Sequence, residues 1–421
     1  MSVFNASIGM AMKLLLSAYA CEPDKGSEPG VGWHWAQEIS KLGVDVTVLT
    51  RANNRKAIEN NATNLNVKFL YYDLPSLAQK AKKLKGGIYL YYLCWQIGAF
   101  ILAKKTHAKA NFDMVHHITF VSFRFPSFMG WLGIPFIFGP VAGGESVPKK
   151  LRKSFSFKKR MFESVREGTS LLVKFNPFMW LTFFKSDKIY VTSEQTKALL
   201  PRRFRWKAEV SLAIGCDEIN SSSEYSIENL NLNLNLNLNL KVLYVGRFVQ
   251  IKGMNMGLRA FAKYLESGQR GELTLLGEGE EESMWKKLVV ELNIEEHVNW
   301  VSWVNQDRLM DLYSNYDVLL FPSLRDSGGM VVLEAMSRGL PVICFSLGGP
   351  GEIVNDKCGM AINVDGKTEE EVIEGLGLVI EEFSNSNKLT ELKRSSYERS
   401  KEFYWSNIVL NVYGNVGELI K

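Results

Sequence analysis

Residues Phe321 to Val354 read FPSLRDSGGMVVLEAMSRGLPVICFSLGGPGEIV, and their order decides the fold class. Val318 to Phe321 is a short apolar run of the kind a buried parallel strand shows. Ser323 to Gly329 is a polar, glycine-bearing loop at that strand's carboxyl end. Gly329 to Arg338 is expected as a short helix, stopped by Gly339-Leu340-Pro341. Pro341 to Phe345 is the next strand, and Gly348-Gly349 opens another helix. In open α/β sheets ligands sit at the carboxyl ends of strands, where helix amino termini offer free N–H groups to anions. Asp326 and Glu334, with seven residues between them, face that position from the loop and from the helix. Asp326 as a helix cap and Glu334 as a solvated helix face is the alternative.

Upstream, Lys241 to Val245 is an apolar strand followed by Gly246-Arg247-Phe-Val-Gln-Ile-Lys252-Gly253 and a helix to about Leu265. Arg247 and Lys252 can converge on one anion beside backbone N–H groups. Glu272 to Leu276 ends at Gly277-Glu-Gly279, and Val298 to Trp303 is a further strand. The loops at Gly277 and at Trp303 to Asn305 fall at strand ends suited to hold a base. Gly359 to Val364 closes this sheet, and helices over Lys388 to Phe403 and Trp405 to Ile420 finish the chain.

The first half opens with a strand from Met12 to Ala20, after a polar start expected to fray. The glycine-bearing loop Cys21 to Gly32 follows, then a helix from about Trp33 to Leu42 and a strand over Val44 to Leu49. This is a βαβ opening. Ile88 to Ala103 is apolar and aromatic but short for a membrane span. A helix largely buried in the domain or one lying in a membrane interface are the readings that fit. Met114 to Thr119 carries His116 and His117, which point to opposite faces of a strand, so they do not form a two-histidine metal site. A helix is expected over Ser122 to Trp131, a strand over Pro135 to Phe138, a strand over Ile189 to Thr192 and a last strand over Glu209 to Ile214. Asn229 to Leu240 repeats Asn-Leu six times and reads as a low-complexity linker.

These motifs resemble those of retaining glycosyltransferases with the GT-B fold, of the family 4, or group 1, type. The resemblance runs through Gly-Arg-x4-Lys-Gly, Gly-x-Gly and the acid pair of the second half, and through the layout and glycine loop of the first. It implies an α/β protein of two Rossmann-like domains with mostly parallel sheets facing a central cleft. Residues 1–217 would form an acceptor-side domain, 218–240 a linker, 241–403 a nucleotide-sugar domain, and 404–421 a helix returning to the first domain. It implies that Arg247 and Lys252 grip the donor's diphosphate, and that Asp326 with the backbone at Ser327, Gly328, Gly329 and Met330 holds the donor sugar. Glu334 would hold the ribose, and Gly30, Gly32, Gly246 and Gly277 would let the backbone approach the donor. Asp326 stands where the family usually has glutamate. Gly139-Pro140 stands where many relatives have a histidine near the reacting carbon. His116, His117 and Glu145 are the candidates to cover that sugar and acceptor side.

At 421 residues the chain exceeds one ordinary core. Its five cysteines are scattered, with neither metal spacing nor a disulfide framework, as suits a reducing cytosol. The net charge of +5 hides an asymmetry. Residues 1–217 carry 31 Lys and Arg against 15 Asp and Glu, a net of +16; residues 218–421 carry 19 against 30, a net of −11. Lys149 to Arg160, KKLRKSFSFKKR, is the most basic segment, and anionic lipid is its expected partner. Nucleic acid would use the same charges, but no nucleic-acid motif accompanies them.

The reaction expected is transfer of a sugar from a nucleoside diphosphate to an acceptor hydroxyl with retention. The acceptor would be a glycan or a lipid-linked one. No cofactor and no metal are expected, since two cations and a helix end neutralise the leaving diphosphate. The expected location is cytoplasmic, on or near the inner membrane face. A nucleotide-sugar 2-epimerase, a non-catalytic nucleotide-sugar or lipid-binding protein, and a soluble disaccharide synthase are the competing readings.

Overall fold

The computed structural model describes residues 12–62, 65–82, 84, 87–218 and 239–414. The chain start, the Asn-Leu repeat up to residue 238 and the last seven residues lie outside the described residues, as do the expectations that rest on them. The chain divides into two units. One comprises residues 1–144, 168–214 and 405–421; the other comprises 145–167 and 215–404.

The first unit is a parallel sheet in the order β3-β2-β1-β4-β5-β6-β7. Its strands are β1 Lys13–Ala18, β2 Asp45–Arg51, β3 Val67–Tyr72, β4 Met114–Ile118, β5 Phe136–Val141, β6 Lys188–Val191 and β7 Ala208–Val210. Apart from the exposed Lys13, β1 and β5 are continuous apolar or small-residue runs, and these strands and β4 are buried on both faces, as helices on both sides of a parallel sheet require. The first helix begins at Ser27, not Trp33. Pro29 is tolerated in a first turn because the N–H it lacks has no intrahelical partner there. Glu28 adds an acid at the same end, where the helix dipole favours it. Gly30 and Gly32 therefore lie inside the helix.

Ser122 to Trp131 is not a helix. It is loop, with a single 3₁₀ turn at Met129–Leu132. Pro126 and Gly130 deny it a regular hydrogen-bond ladder. The last strand is also shorter than expected, ending at Val210.

The apolar run after residue 88 lies in the helix Gly87–Ala110, which buries Tyr91, Tyr92, Trp95 and Ala99 on one side. Leu90, Cys94, Ile97 and Ile101 on the other side are exposed, so the helix is half-buried. Among the described residues no helix is long and apolar enough to cross a membrane. Further along this unit, Phe175, Phe178, Leu181, Phe184 and Trp206 are exposed as well. Lys174 and Arg203 flank a shallow apolar cavity of about 600 Å³ among them.

The second unit is a parallel sheet in the order β10-β9-β8-β11-β12-β13. Its strands are β8 Asn239–Val245, β9 Arg270–Leu276, β10 Val298–Val301, β11 Val318–Phe321, β12 Val342–Phe345 and β13 Gly359–Ile362. β8 starts on the last Asn-Leu pair of the repeat. The core of this unit takes in Val147, Leu151 and Phe155 alongside Tyr244, Leu320 and Phe345. The basic segment therefore belongs to the second unit, whereas a division at residue 217 puts it with the first. Its Leu151 and Phe155 are covered by that core while Phe157 stays exposed, and several of its cations are committed. Lys150 Nζ donates to the Gly366 carbonyl, Arg152 pairs with Glu167 at 3.0 Å, and Lys159 pairs with Glu281 at 2.8 Å.

Leu151 is fully buried, so Leu151→Ala is expected to lower stability by about 2–5 kcal/mol. Hydrogen exchange checks where the loss falls. Protection should drop in residues 241–403, and a loss confined to residues 13–141 would contradict the assignment of this segment.

Candidate active site

In the second sheet the strand order reverses between β8 and β11, which pair in parallel. The loops leaving these two strands emerge side by side, which is where doubly wound sheets bind ligands. The first carries Lys252, in the 3₁₀ turn Gln250–Lys252; the second carries Asp326. Leu324 N donates to the Ile251 carbonyl at 2.9 Å, fastening one loop to the other.

Lys252 Nζ lies 2.6 Å from Asp326 Oδ2, with side chains 17% and 23% exposed. It also lies over the Phe321 ring. Asp326 Oδ1 accepts from the amides of Gly328 at 3.1 Å and Gly329 at 2.9 Å. Burial pushes the Asp326 carboxyl up. The Lys252 charge and hydrogen bond, together with the two amides, outweigh it and hold the group below the ordinary aspartate range. Asp326 thus closes the turn before the helix Met330–Ser337, with Ser327 and Met330 half-buried on either side of the two glycines.

Gly348 makes this turn possible from the opposite side. Its φ is +56°, and a Cβ there would stand 1.9 Å from the Asp326 carbonyl oxygen. Gly349 N donates to that same oxygen at 2.9 Å. Glu145 lies against this spot: its Cγ is 3.2 Å from where the Gly348 Cβ would be. Expected on the acceptor side, Glu145 is a buried member of the second unit.

Glu334 is not a solvated helix face. Its Oε1 accepts from Gln306 Nε2 at 2.8 Å and its Oε2 from the Tyr313 hydroxyl at 3.1 Å. Burial raises its pKa despite both hydrogen bonds. Arg247 is exposed on the loop after β8, and its carbonyl accepts from the Tyr244 hydroxyl. Among the described residues its side chain has no ion pair. Gly246 and Gly277 end adjacent strands, with Gly246 N on the Leu276 carbonyl and Gly277 N on the Val301 carbonyl, both at 3.0 Å. Lys252, Asp326, Gly328 and Gly329 are brought into direct contact; Arg247 and Glu334 are not bonded to that group.

His116 and His117 are fully buried and satisfied. His116 Nε2 donates to the Gly139 carbonyl and its Nδ1 accepts from the Tyr413 hydroxyl, each at 2.7 Å. His117 is held by the Tyr92 hydroxyl at 3.0 Å and the Ser127 hydroxyl at 2.9 Å. Burial lowers both pKa values to about 3, so both rings are neutral. Neither has an atom available for a sugar in this structure, because both faces of β4 are covered. Gly139 is fixed by packing: a Cβ there would meet the Tyr190 carbonyl oxygen at 2.2 Å, which leaves no room for a histidine. Gly30 and Gly32 face the backbone carbonyls of Lys25 and Ala20.

Sequence reasoning missed the Arg325–Glu163 pair, at 2.5 Å. Arg325 adjoins Asp326 in sequence, so its proximity was legible. Glu163 comes from the helix that runs on from the basic segment, Phe157–Leu172, and no local pattern pairs residues so far apart. Among the described residues no three His, Cys, Asp or Glu side chains gather as a metal site.

Residues 231–398 match the family model described as glycosyl transferases group 1. An uncharacterized glycosyltransferase of Methanocaldococcus jannaschii, MJ1607, is 31% identical over 200 residues, which is 47% of this chain and 50% of the relative. A D-inositol 3-phosphate glycosyltransferase of Acidothermus cellulolyticus is 28% identical over 183 residues, 41% of this chain and 40% of the relative. The chain spans about half the length of the curated relatives it matches. A glycosyltransferase structure from Rickettsia africae covers 98% of this chain and 99% of its own, with a TM-score of 0.61 at 15% identity, a likeness of fold. Two parallel α/β units with these neighbours define the class: the GT-B fold of glycosyltransferases. Within that fold, residues 231–398 are similar to group 1 glycosyl transferases.

The lowered Asp326 pKa has a pH consequence. A carboxyl held low in the folded state adds stability above its unfolded pKa and loses it as pH falls through the folded value. Wild type should therefore exceed Asp326→Asn by about 1–3 kcal/mol near neutral pH, with the gap closing in acid. Urea midpoints across that range measure it, and a gap independent of pH would contradict the pairing.

Proposed function

We propose that this protein is a retaining glycosyltransferase that moves a sugar from a nucleoside diphosphate to an acceptor hydroxyl on a glycan or lipid-linked glycan. The observation that carries the reading is the Lys252–Asp326 pair at the strand-order reversal, with Arg247 exposed on the same loop. The Lys252 ammonium can turn to a diphosphate without leaving Asp326, and Arg247 can close on the same anion. Asp326 and the adjoining backbone then receive the sugar hydroxyls. Glu334, presented by Gln306 and Tyr313, receives the ribose.

In the proposed step the bond from the anomeric carbon to the β-phosphate oxygen breaks, and the acceptor oxygen bonds to that carbon on the same face. The acceptor's proton passes to the departing phosphate. Positive charge placed against the leaving diphosphate is the main requirement, and Lys252 and Arg247 supply it, so the reaction is proposed to run without a divalent metal. Positioning does the rest.

Work at an anionic membrane surface is part of the proposal. It is supported by the exposed aromatic and aliphatic residues of the first unit, Phe175, Phe178, Phe184 and Trp206 among them. Lys174, Lys185, Arg202 and Arg203 accompany them in sequence. Aromatic side chains with snorkelling cations suit a headgroup region.

Lys252→Ala is expected to lower turnover about 100- to 1000-fold, with the thermal midpoint shifting by only a few degrees. Near-normal turnover in the folded variant would defeat the proposal. Incubation with donor alone, read for epimer, decides between transfer and epimerisation. Transfer in excess chelator should proceed at the untreated rate; abolition by chelator and rescue by magnesium would refute the metal-independent part.

A further inference from the structure

The first sheet has its own strand-order reversal, between β1 and β4. There the Ala20 amide donates to Thr119 Oγ1 at 3.1 Å. Thr119 and Phe120 both hold positive φ, 54° each, a conformation that costs a non-glycine residue free energy and that clusters at binding sites. The Phe120 amide is held by Glu28 Oε2 at 2.7 Å.

Beside this point, at the carboxyl ends of β1, β2 and β3, two cations share two rings. The Arg51 guanidinium lies 5.0 Å from the Tyr19 ring centre and 6.0 Å from that of Tyr91. Lys82 Nζ lies 5.7 and 5.3 Å from the same two centres. Among the described residues one carboxylate accompanies them, Asp73, and it is engaged by the Tyr91 hydroxyl. Arg51 Nε stands 3.9 Å from Asp73 Oδ1, beyond hydrogen-bond reach. That Nε is buried without a hydrogen bond. Among the described residues Lys82 has no ion pair. Burial, and then the charge of Arg51, lower the Lys82 pKa. Bringing two like charges onto one pair of rings with a single, already occupied acid is unfavourable unless an anion joins them.

We propose that Arg51 and Lys82 bind a phosphoryl group carried by the acceptor. A phosphoryl group has enough free oxygens to take the guanidinium edge and the ammonium at once. Tyr19 and Tyr91 form the apolar wall behind it. The role assigned to this group rests on the transferase reading above; the site itself rests on the first unit alone.

The test uses the full chain at fixed ionic strength, with UDP saturating so that the second unit does not answer for phosphate. Inorganic phosphate should raise the thermal midpoint of wild type in a concentration-dependent way, and chloride should not. Arg51→Gln and Lys82→Met should each need about tenfold more phosphate or beyond. Lys82 is only half-buried, so its variant serves if Arg51→Gln does not fold. Equal phosphate response in wild type and Lys82→Met, or none in wild type, overturns the site. Absence of a UDP response strikes instead at the donor reading and leaves the phosphate comparison intact. Glucose 6-phosphate and phosphatidic acid vesicles, matched for phosphate, separate a soluble acceptor from a lipid headgroup. Failure of both to displace inorganic phosphate overturns the assignment to an acceptor.

Discussion

The second unit depends on one constraint: β8 and β11 are neighbours in the sheet but strangers in the chain. A parallel sheet that grows outward in both directions from a central pair must leave two loops side by side at that pair. Everything the site contains follows from filling that gap. Lys252 comes from one loop, Asp326 from the other, and their ion pair, with the Leu324–Ile251 backbone hydrogen bond, makes two independent turns into one surface. Gly348 then brings the next loop onto the Asp326 carbonyl, at a distance that no side chain would allow.

That arrangement also explains how a charged group is kept where charge is costly. Asp326 is mostly covered, and burial alone would favour its protonated form. The ammonium and two glycine amides reverse the balance. Glu334, eight positions on, has two neutral hydrogen-bond donors and no cation, and its pKa moves the other way. Two acids that look alike in the sequence are therefore distinct in the folded protein. One is a fixed anion bound to a cation, and the other is a hydrogen-bonding group that can exchange its partners for a ligand's hydroxyls.

Much of this was legible in the sequence, for a physical reason. Strand, glycine turn and helix follow one another locally, so the apolar run at Val318 to Phe321 and the glycines after it announce a ligand-facing loop without reference to anything distant. The same holds for Gly246 to Gly253. What could not be read depends on distant packing. Two histidines on a strand suggest one facing inward and one outward, but β4 lies in the middle of a covered sheet and both are buried. Lys149 to Arg160 reads as a basic stretch for anionic lipid, yet Lys150, Arg152 and Lys159 meet a carbonyl, Glu167 and Glu281, and Leu151 and Phe155 enter a core. The glycines at 30 and 32 suggest a loop, because their close approach to the carbonyls of Lys25 and Ala20 is a tertiary fact.

The chain passes between its two units at residues 144–145, 167–168, 214–215 and 404–405. The 23-residue excursion from Glu145 to Glu167 supplies Leu151 to one core and Glu163 to Arg325, beside the charged pair. A chimera built by grafting only the half after residue 217 would set a recipient's excursion against a foreign core. The second unit is discontinuous in sequence, and any recombination has to move both of its pieces together.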